Sequence, residues 1–331
     1  MGSATDKPEP KKPGSRNVIN NTELQKATHL TIVMHVTPTP ALSRPWAPQN
    51  IRLEAKVSEI SENLTGSSPV AAVVDGNTIQ RTMDGAVAIL SMVKGPYNLM
   101  DSALNRELVE SLGWAREQSA RAIVLRSGLR HFSAGADLDA MLDDVGDGDA
   151  LNWDFVDTLR EFAEHPAPII ASVHGVCVGG GFELALACDL IIASSTAKIG
   201  CVEVTVGLHP LMGATQRITQ RAGAARATEM ALLGRRYDAA TLERWNIINR
   251  VVDEEQLETA TNVLAQEIAH GPSVANAATK RLVAVAVNEG TRGADEAMAD
   301  IQRAIYTSKD FRTGVNSYRD SGIGTAEFEG R

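Results

Sequence analysis

The stretch from residue 168 to 188 constrains the fold most. Residues 168–173 read as a buried strand, Gly179-Gly180-Gly181 as a tight turn and residues 182–188 as a helix, with a further strand over 190–193. Strands and helices interleaved at this spacing imply an α/β architecture. Glu183 is the only formally charged side chain in the stretch. An unpaired charge in apolar company is expensive, so its presence there needs a reason.

The same rhythm runs on both sides. Residues 78–83 alternate, Asp84-Gly85 is a hairpin signal and residues 86–92 are an apolar run, which predicts two strands joined by a turn. Leu104, Leu108, Leu112 and Ala115 share one helical face over 102–115, with Ser102 placed to cap that helix. A short strand over 122–125 leads into the glycine-bearing loop Phe132-Ser-Ala-Gly-Ala-Asp-Leu138. Residues 143–149, acidic and glycine-rich, predict a mobile surface segment before a helix over 155–164. Later segments predict helices over 226–233 and 239–245, a strand over 247–252, and helices over 254–269, 274–287 and 294–306. That helical end forms its own packing layer.

Seven of the 13 prolines precede residue 49, where charge is mixed and periodic apolar residues are few. Such composition predicts a disordered leader over 1–75, ahead of a core over 76–272 and a helical region over 273–331. The 331 residues carry 41 acidic and 32 basic side chains, a net charge of −9. That balance argues against nucleic acid or an anionic membrane as the main partner. No apolar run approaches the roughly 20 residues needed to span a bilayer. Three cysteines without C-x-x-C spacing fit neither a disulfide framework nor a zinc knuckle. A reducing, cytoplasmic setting is the expectation.

Both glycine loops follow apolar strands. Glycine lets the backbone approach a ligand closely, and the first N–H groups of a helix have no partner inside it. Two N–H donors converging on one point make an oxyanion hole, and Ala136 and Gly180 are the candidates. Neither loop has the phosphate-cradling G-x-x-x-x-G-K-[ST] pattern or the dinucleotide G-x-G-x-x-G. Glu183 sits in the first turn of the helix that the glycines open, and Glu203 lies in Cys201-Val-Glu-Val-Thr205, again with no cation beside it. Two such carboxylates in one apolar cleft would hold their proton affinities apart, one an acid and the other a base. Read singly, Glu183 also fits a carboxylate held by the helix dipole, and Glu203 a solvent-facing loop residue. His131, His174 and His209 are too scattered for a metal centre. Ser133 is outside G-x-S-x-G, Cys201 reads as a small buried hydrophobe, and Trp114, Trp153 and Trp245 read as core.

Three linked segments carry a family resemblance: His131-Phe-Ser-Ala-Gly-Ala-Asp-Leu138, the run Pro168 to Leu190, and residues 197–217 with Glu203, Gly207, Pro210, Gly213 and Thr215-Gln-Arg217. Their order and spacing resemble the crotonase, or enoyl-CoA hydratase/isomerase, superfamily from about residue 77 onward. The resemblance implies a spiral of ββα turns with a C-terminal helical assembly region, forming trimers or pairs of trimers. It implies an acyl-CoA thioester whose carbonyl sits between the N–H groups of Ala136 and Gly180. Coenzyme A would run along Gly95, Pro96 and Tyr97 and along Ala134, Asp137 and Leu138, with no cofactor beyond what the substrate carries. Hydratases of the family are acidic at the positions of both Glu183 and Glu203, whereas isomerases typically keep only the second. Reversible hydration of a 2-trans-enoyl-CoA to a 3-hydroxyacyl-CoA is therefore the expected reaction. An enoyl- or dienoyl-CoA isomerase, a hydratase of aromatic acyl-CoAs, and a low-turnover acyl-CoA-binding or scaffold protein are the alternatives. Val202 stands where proline is common in the family, and Asp139 where lysine is often found.

Overall fold

The computed structural model describes residues 74–75, 78–145 and 155–331. Ten strands, ten α-helices and two short 3-10 helices occur among them. The antiparallel hairpin β2 (Ile79–Asp84) and β3 (Val87–Met92) turns at Asp84-Gly85 as expected. The two residues of β1 (Val74–Asp75) extend it, so pairing begins inside the span read as leader. Most of that leader, residues 146–154 and Trp153 lie outside the described residues.

From β3 the main sheet is parallel, through β4 (Ala122–Ser127), β5 (Ile169–Val173), β7 (Leu190–Ser194) and β10 (Arg250–Val252). Central parallel strands are covered on both faces, which is why they read as unbroken apolar runs. Ala88, Leu90, Ile123, Leu125 and Ala171 face the larger cluster, beneath α1 (Ser102–Glu117). Val87, Ile89, Val124 and Ile170 face α8 (Leu257–His270), meeting Leu257, Ala265 and Ala269. Asp101, not Ser102, caps α1: its carboxylate accepts the Leu104 N–H at 2.9 Å. Ser102 is the first helical residue, one position too late to cap.

A second, three-stranded sheet holds β6 (Val176–Val178), β8 (Lys198–Gly200) and β9 (Tyr237–Asp238). These strands are two or three residues long, too short for a periodic signal, and the sequence reading missed them. Residues 138–145, partly read as a mobile segment, open with α2 (Leu138–Val145), and α3 (Phe155–Glu164) follows. The helix α4 (Gly180–Ala187) begins inside the glycine run, so only Gly179 belongs to the turn. Next come α5 (Ala214–Ala222), α6 (Ala224–Leu233) and α7 (Ala239–Arg244). The expected break between two C-terminal helices is real: α9 (Ser273–Thr307) bends at Gly290, whose φ of 77° leaves the helical region. A last helix, α10 (Lys309–Ser321), falls in the span read as helical but was not singled out as an element.

Candidate active site

Two isolated bridges stitch the first glycine loop between its neighbours. Ser133 pairs with Cys177 of β6, and Ala136 pairs with Met100 just before α1. The Met100 N–H donates to Gly135 C=O at 2.9 Å, and the Asp137 N–H donates to Met100 C=O at 2.8 Å. These bonds flank Ala136 and fix its peptide plane. The Ala136 N–H has no acceptor among the described residues.

The second loop lies against the first. Gly179 caps α4 at φ 54°, a conformation costly for other residues, and offers no side-chain cap. Gly181 packs so closely on the Ser133 segment that a Cβ there would fall 2.4 Å from Ser133 Cβ. The Gly180 N–H, first in the helix, likewise has no acceptor among the described residues. Ala136 and Gly180 both line one cavity of about 100 Å³, together with Ala134 and Leu138.

Both carboxylates line it too. Glu183 is 2% exposed, and its Oε1 accepts the N–H groups of Met212 (2.7 Å) and Ala214 (3.0 Å). Burial pushes its pKa up to about 7, and the Glu203 charge adds to the rise against the backbone donors. Glu203 opens a short 3-10 turn, Glu203–Val206, held off solvent with both carboxyl oxygens buried and without a hydrogen-bond partner. Burial raises its pKa as well. The rest of the wall is apolar, with Met100, Met141, Leu211 and Met212 prominent, and Thr205 supplies the remaining polar side chain. Those methionines gave no sequence signal, since core and cavity methionines look alike in one dimension.

Other candidates resolve into structural roles. Ser133 Oγ donates to Asn98 C=O at 2.7 Å and accepts the Gly135 N–H. The three candidate histidines are engaged with backbone: His131 Nδ1 accepts from Val176 N–H, and His174 Nε2 meets Leu129 C=O at 2.7 Å. His209 Nδ1 meets Pro210 C=O at 2.8 Å. Cys177, Cys188 and Cys201 are buried and unbridged. Trp114 and Trp245 pack on the core as expected. Gly95, Pro96 and Tyr97 lie beside the cavity rather than in its wall, tied to it where the Ala134 N–H donates to Tyr97 C=O at 3.0 Å. Tyr97 is half exposed and stacks on His131. Asp137 also stays outside the wall, its carboxylate accepting from Ala140 N–H at the start of α2.

Residues 82–330 match the sequence model of the enoyl-CoA hydratase/isomerase family. The chain belongs to this family. A relative from Rhizobium meliloti, described as a probable enoyl-CoA hydratase, is 38% identical over 228 residues, 67% of this chain and 86% of its own. A human family protein, enoyl-CoA hydratase domain-containing protein 2, mitochondrial, is 34% identical over 76% of this chain and 84% of its own. Carnitinyl-CoA dehydratase from Proteus mirabilis is 34% identical over 62% of this chain and 79% of its own. Among solved structures, a probable enoyl-CoA hydratase/isomerase from Mycobacterium abscessus superposes with a TM-score of 0.70 at 30% identity, over 78% of this chain and all of that one. This is the crotonase fold, and the hydratase/isomerase-family chain carries its helical extension at the C-terminus.

Proposed function

We propose that this protein is an enoyl-CoA hydratase, adding water reversibly to a 2-trans-enoyl-CoA to give a 3-hydroxyacyl-CoA. One observation carries the reading: two N–H donors without an acceptor among the described residues and two carboxylates with buried oxygens line a single apolar cavity. Attack of water at C3 of a conjugated thioester pushes charge onto its carbonyl oxygen. The N–H groups of Ala136 and Gly180 would stabilise that charge, and losing one such donor typically costs about 10²–10³ in rate.

The glutamates would divide one proton between them. Two backbone N–H groups on Oε1 oppose part of the effect of burial, so Glu183, with a pKa of about 7, is poised to take the proton of the attacking water. Glu203, whose pKa burial also raises, would deliver its proton to C2. Water oxygen bonds to C3, the double bond becomes single, and the enolate collapses as C2 is protonated. In the reverse direction the roles exchange.

Coenzyme A, in this reading, enters as part of the substrate, with no separate cofactor. It would follow Gly95, Pro96 and Tyr97 and the backbone of Ala134 and Leu138. The Asp137 carboxylate, already capping α2, would hold the loop rather than touch the ligand. Phe311, Val315 and Tyr318 stand exposed on one face of α10, which supports assembly through the C-terminal helices into trimers or pairs of trimers. A cytoplasmic location belongs to the same proposal. Among the described residues no helix is long and apolar enough to cross a membrane.

Absorbance at the enoyl-thioester band tests the reading. Crotonyl-CoA should be bleached on adding the enzyme. Inertness toward crotonyl-CoA with growth of the band from a 3-enoyl-CoA would replace the reading by an isomerase. Binding without either change would favour the scaffold alternative.

A further inference from the structure

Lys94, on the loop between β3 and α1, belongs to no part of the mechanism above, yet it is mostly buried. Its Nζ donates to Leu99 C=O at 3.0 Å and pairs with Asp101 Oδ2 at 2.5 Å. Asp137 Oδ2 lies 3.8 Å from the same ammonium. Each carboxylate uses its other oxygen on a helix start: Asp101 Oδ1 accepts from Leu104 N–H, and Asp137 Oδ1 from Ala140 N–H. The ammonium therefore joins the caps of α1 and α2.

Between those caps lies the donor of the proposed oxyanion hole. Leu99 and Asp101, both held by Lys94, are the chain neighbours of Met100. Met100 in turn makes the two backbone bonds that flank Ala136. A charge centre fixing both neighbours of Met100 fixes the peptide plane that Met100 dictates at Ala136. Without the ammonium, Asp101 and Asp137 face one another as like charges in a partly desolvated place, and they repel. Moving apart, they would carry Met100 away from the Gly135–Asp137 segment and turn the Ala136 N–H.

We propose that Lys94 is a positioning residue, holding the Ala136 N–H on the thioester oxygen through Asp101, Leu99 and the Met100 bridge. The inference rests on the hydratase reading, and its test separates the two. Backbone donors contribute through alignment, and a donor aimed off the developing charge gives up much of its rate effect. A defect in donor orientation lowers kcat and leaves KM little changed, because the interaction strengthens mainly in the transition state.

Lys94→Met and Lys94→Arg are compared with wild type by steady-state kinetics on crotonyl-CoA. Raman difference spectra of a bound enoyl-thioester analogue report how strongly its carbonyl is polarised. The expected result for Lys94→Met is a kcat lowered about tenfold or more with KM within about threefold, a reduced carbonyl shift, and recovery of both in Lys94→Arg. Should Lys94→Met fail to fold, Asp101→Asn serves instead. It keeps an oxygen for the Leu104 N–H, weakens the ion pair, and should show the same pattern at smaller amplitude. A raised KM with unchanged kcat and carbonyl shift overturns the proposal and makes Lys94 a coenzyme A contact. Wild-type behaviour of Lys94→Met overturns it too. A wild-type enzyme that neither turns over crotonyl-CoA nor shifts the carbonyl defeats the hydratase reading itself.

Discussion

The Met212 N–H donates to Oε1 of Glu183 at 2.7 Å, bridging 29 residues of chain to reach a carboxyl that is 2% exposed. This contact and that of Ala214 are what let an acidic side chain sit inside α4. They do not offset its burial, since the Glu183 pKa still rises to about 7.

Stability should therefore depend on pH through this group. The folded-state pKa lies above the ordinary value of 4.5, so the neutral acid suits the folded site better than the ion does. The stability Glu183 lends is whole below pH 4.5 and is lost as pH rises through about 7. The difference is of order 3 kcal/mol. Glu183→Gln, neutral at every pH, should melt several degrees above wild type at pH 8 and show little gain at pH 4.5. Thermal denaturation at the two pH values measures this, and a gain independent of pH would contradict it.

The rate should follow the proton the two glutamates share. Loss of the pair's last proton gives kcat/KM a falling limb with an apparent pKa near 7. As the pair loses its last proton the Glu203 charge opposes ionisation of Glu183, so in Glu203→Gln the Glu183 titration should move to lower pH. Carbon-13 NMR of labelled glutamate reads that shift directly, and an unmoved titration would show the two groups to be uncoupled.

Deleting a backbone donor needs proline, and Gly180 is the better place. As the first residue of α4 it occupies the helical position where proline costs least. A Cβ there makes only ordinary contacts with Met100 and Met212. Gly180→Pro should keep the far-ultraviolet circular dichroism of wild type and lose about 10²–10³ in kcat. Full activity in a folded Gly180→Pro protein would remove this N–H from the mechanism.

Gly181 has no such freedom. A methyl group there meets Ser133 Cβ and Oγ at 2.4 and 2.6 Å, and Ser133 is itself pinned to Asn98 and Gly135. Gly181→Ala should destabilise by about 1–3 kcal/mol through overpacking. Denaturant titration checks it, and a midpoint equal to wild type would mean the two loops are less tightly apposed than described.

What the sequence made legible was set by length and periodicity. The hairpin, α1 and the break between the C-terminal helices were all read from apolar spacing, and β4, β5 and β7 from their unbroken apolar runs. The strands β6, β8 and β9, two or three residues long, fell below any periodic window. At the site, Glu183 stood out as a charge in apolar company, and Ala136 and Gly180 through the glycines beside them. Asp101 as the true cap, Met100 as the bridge to Ala136, and the Met212 and Ala214 amides on Glu183 were invisible. Each depends on which distant backbone a residue meets, and one-dimensional spacing carries no trace of that.

Glu203→Gln provides the most direct measurement, with turnover of crotonyl-CoA set beside the affinity for a saturated acyl-CoA. The amide keeps the size of the side chain but cannot deliver a proton to C2. The expected kcat is at least roughly 10² below wild type, with acyl-CoA affinity preserved. A variant that binds and turns over as wild type does would contradict the acid role of Glu203.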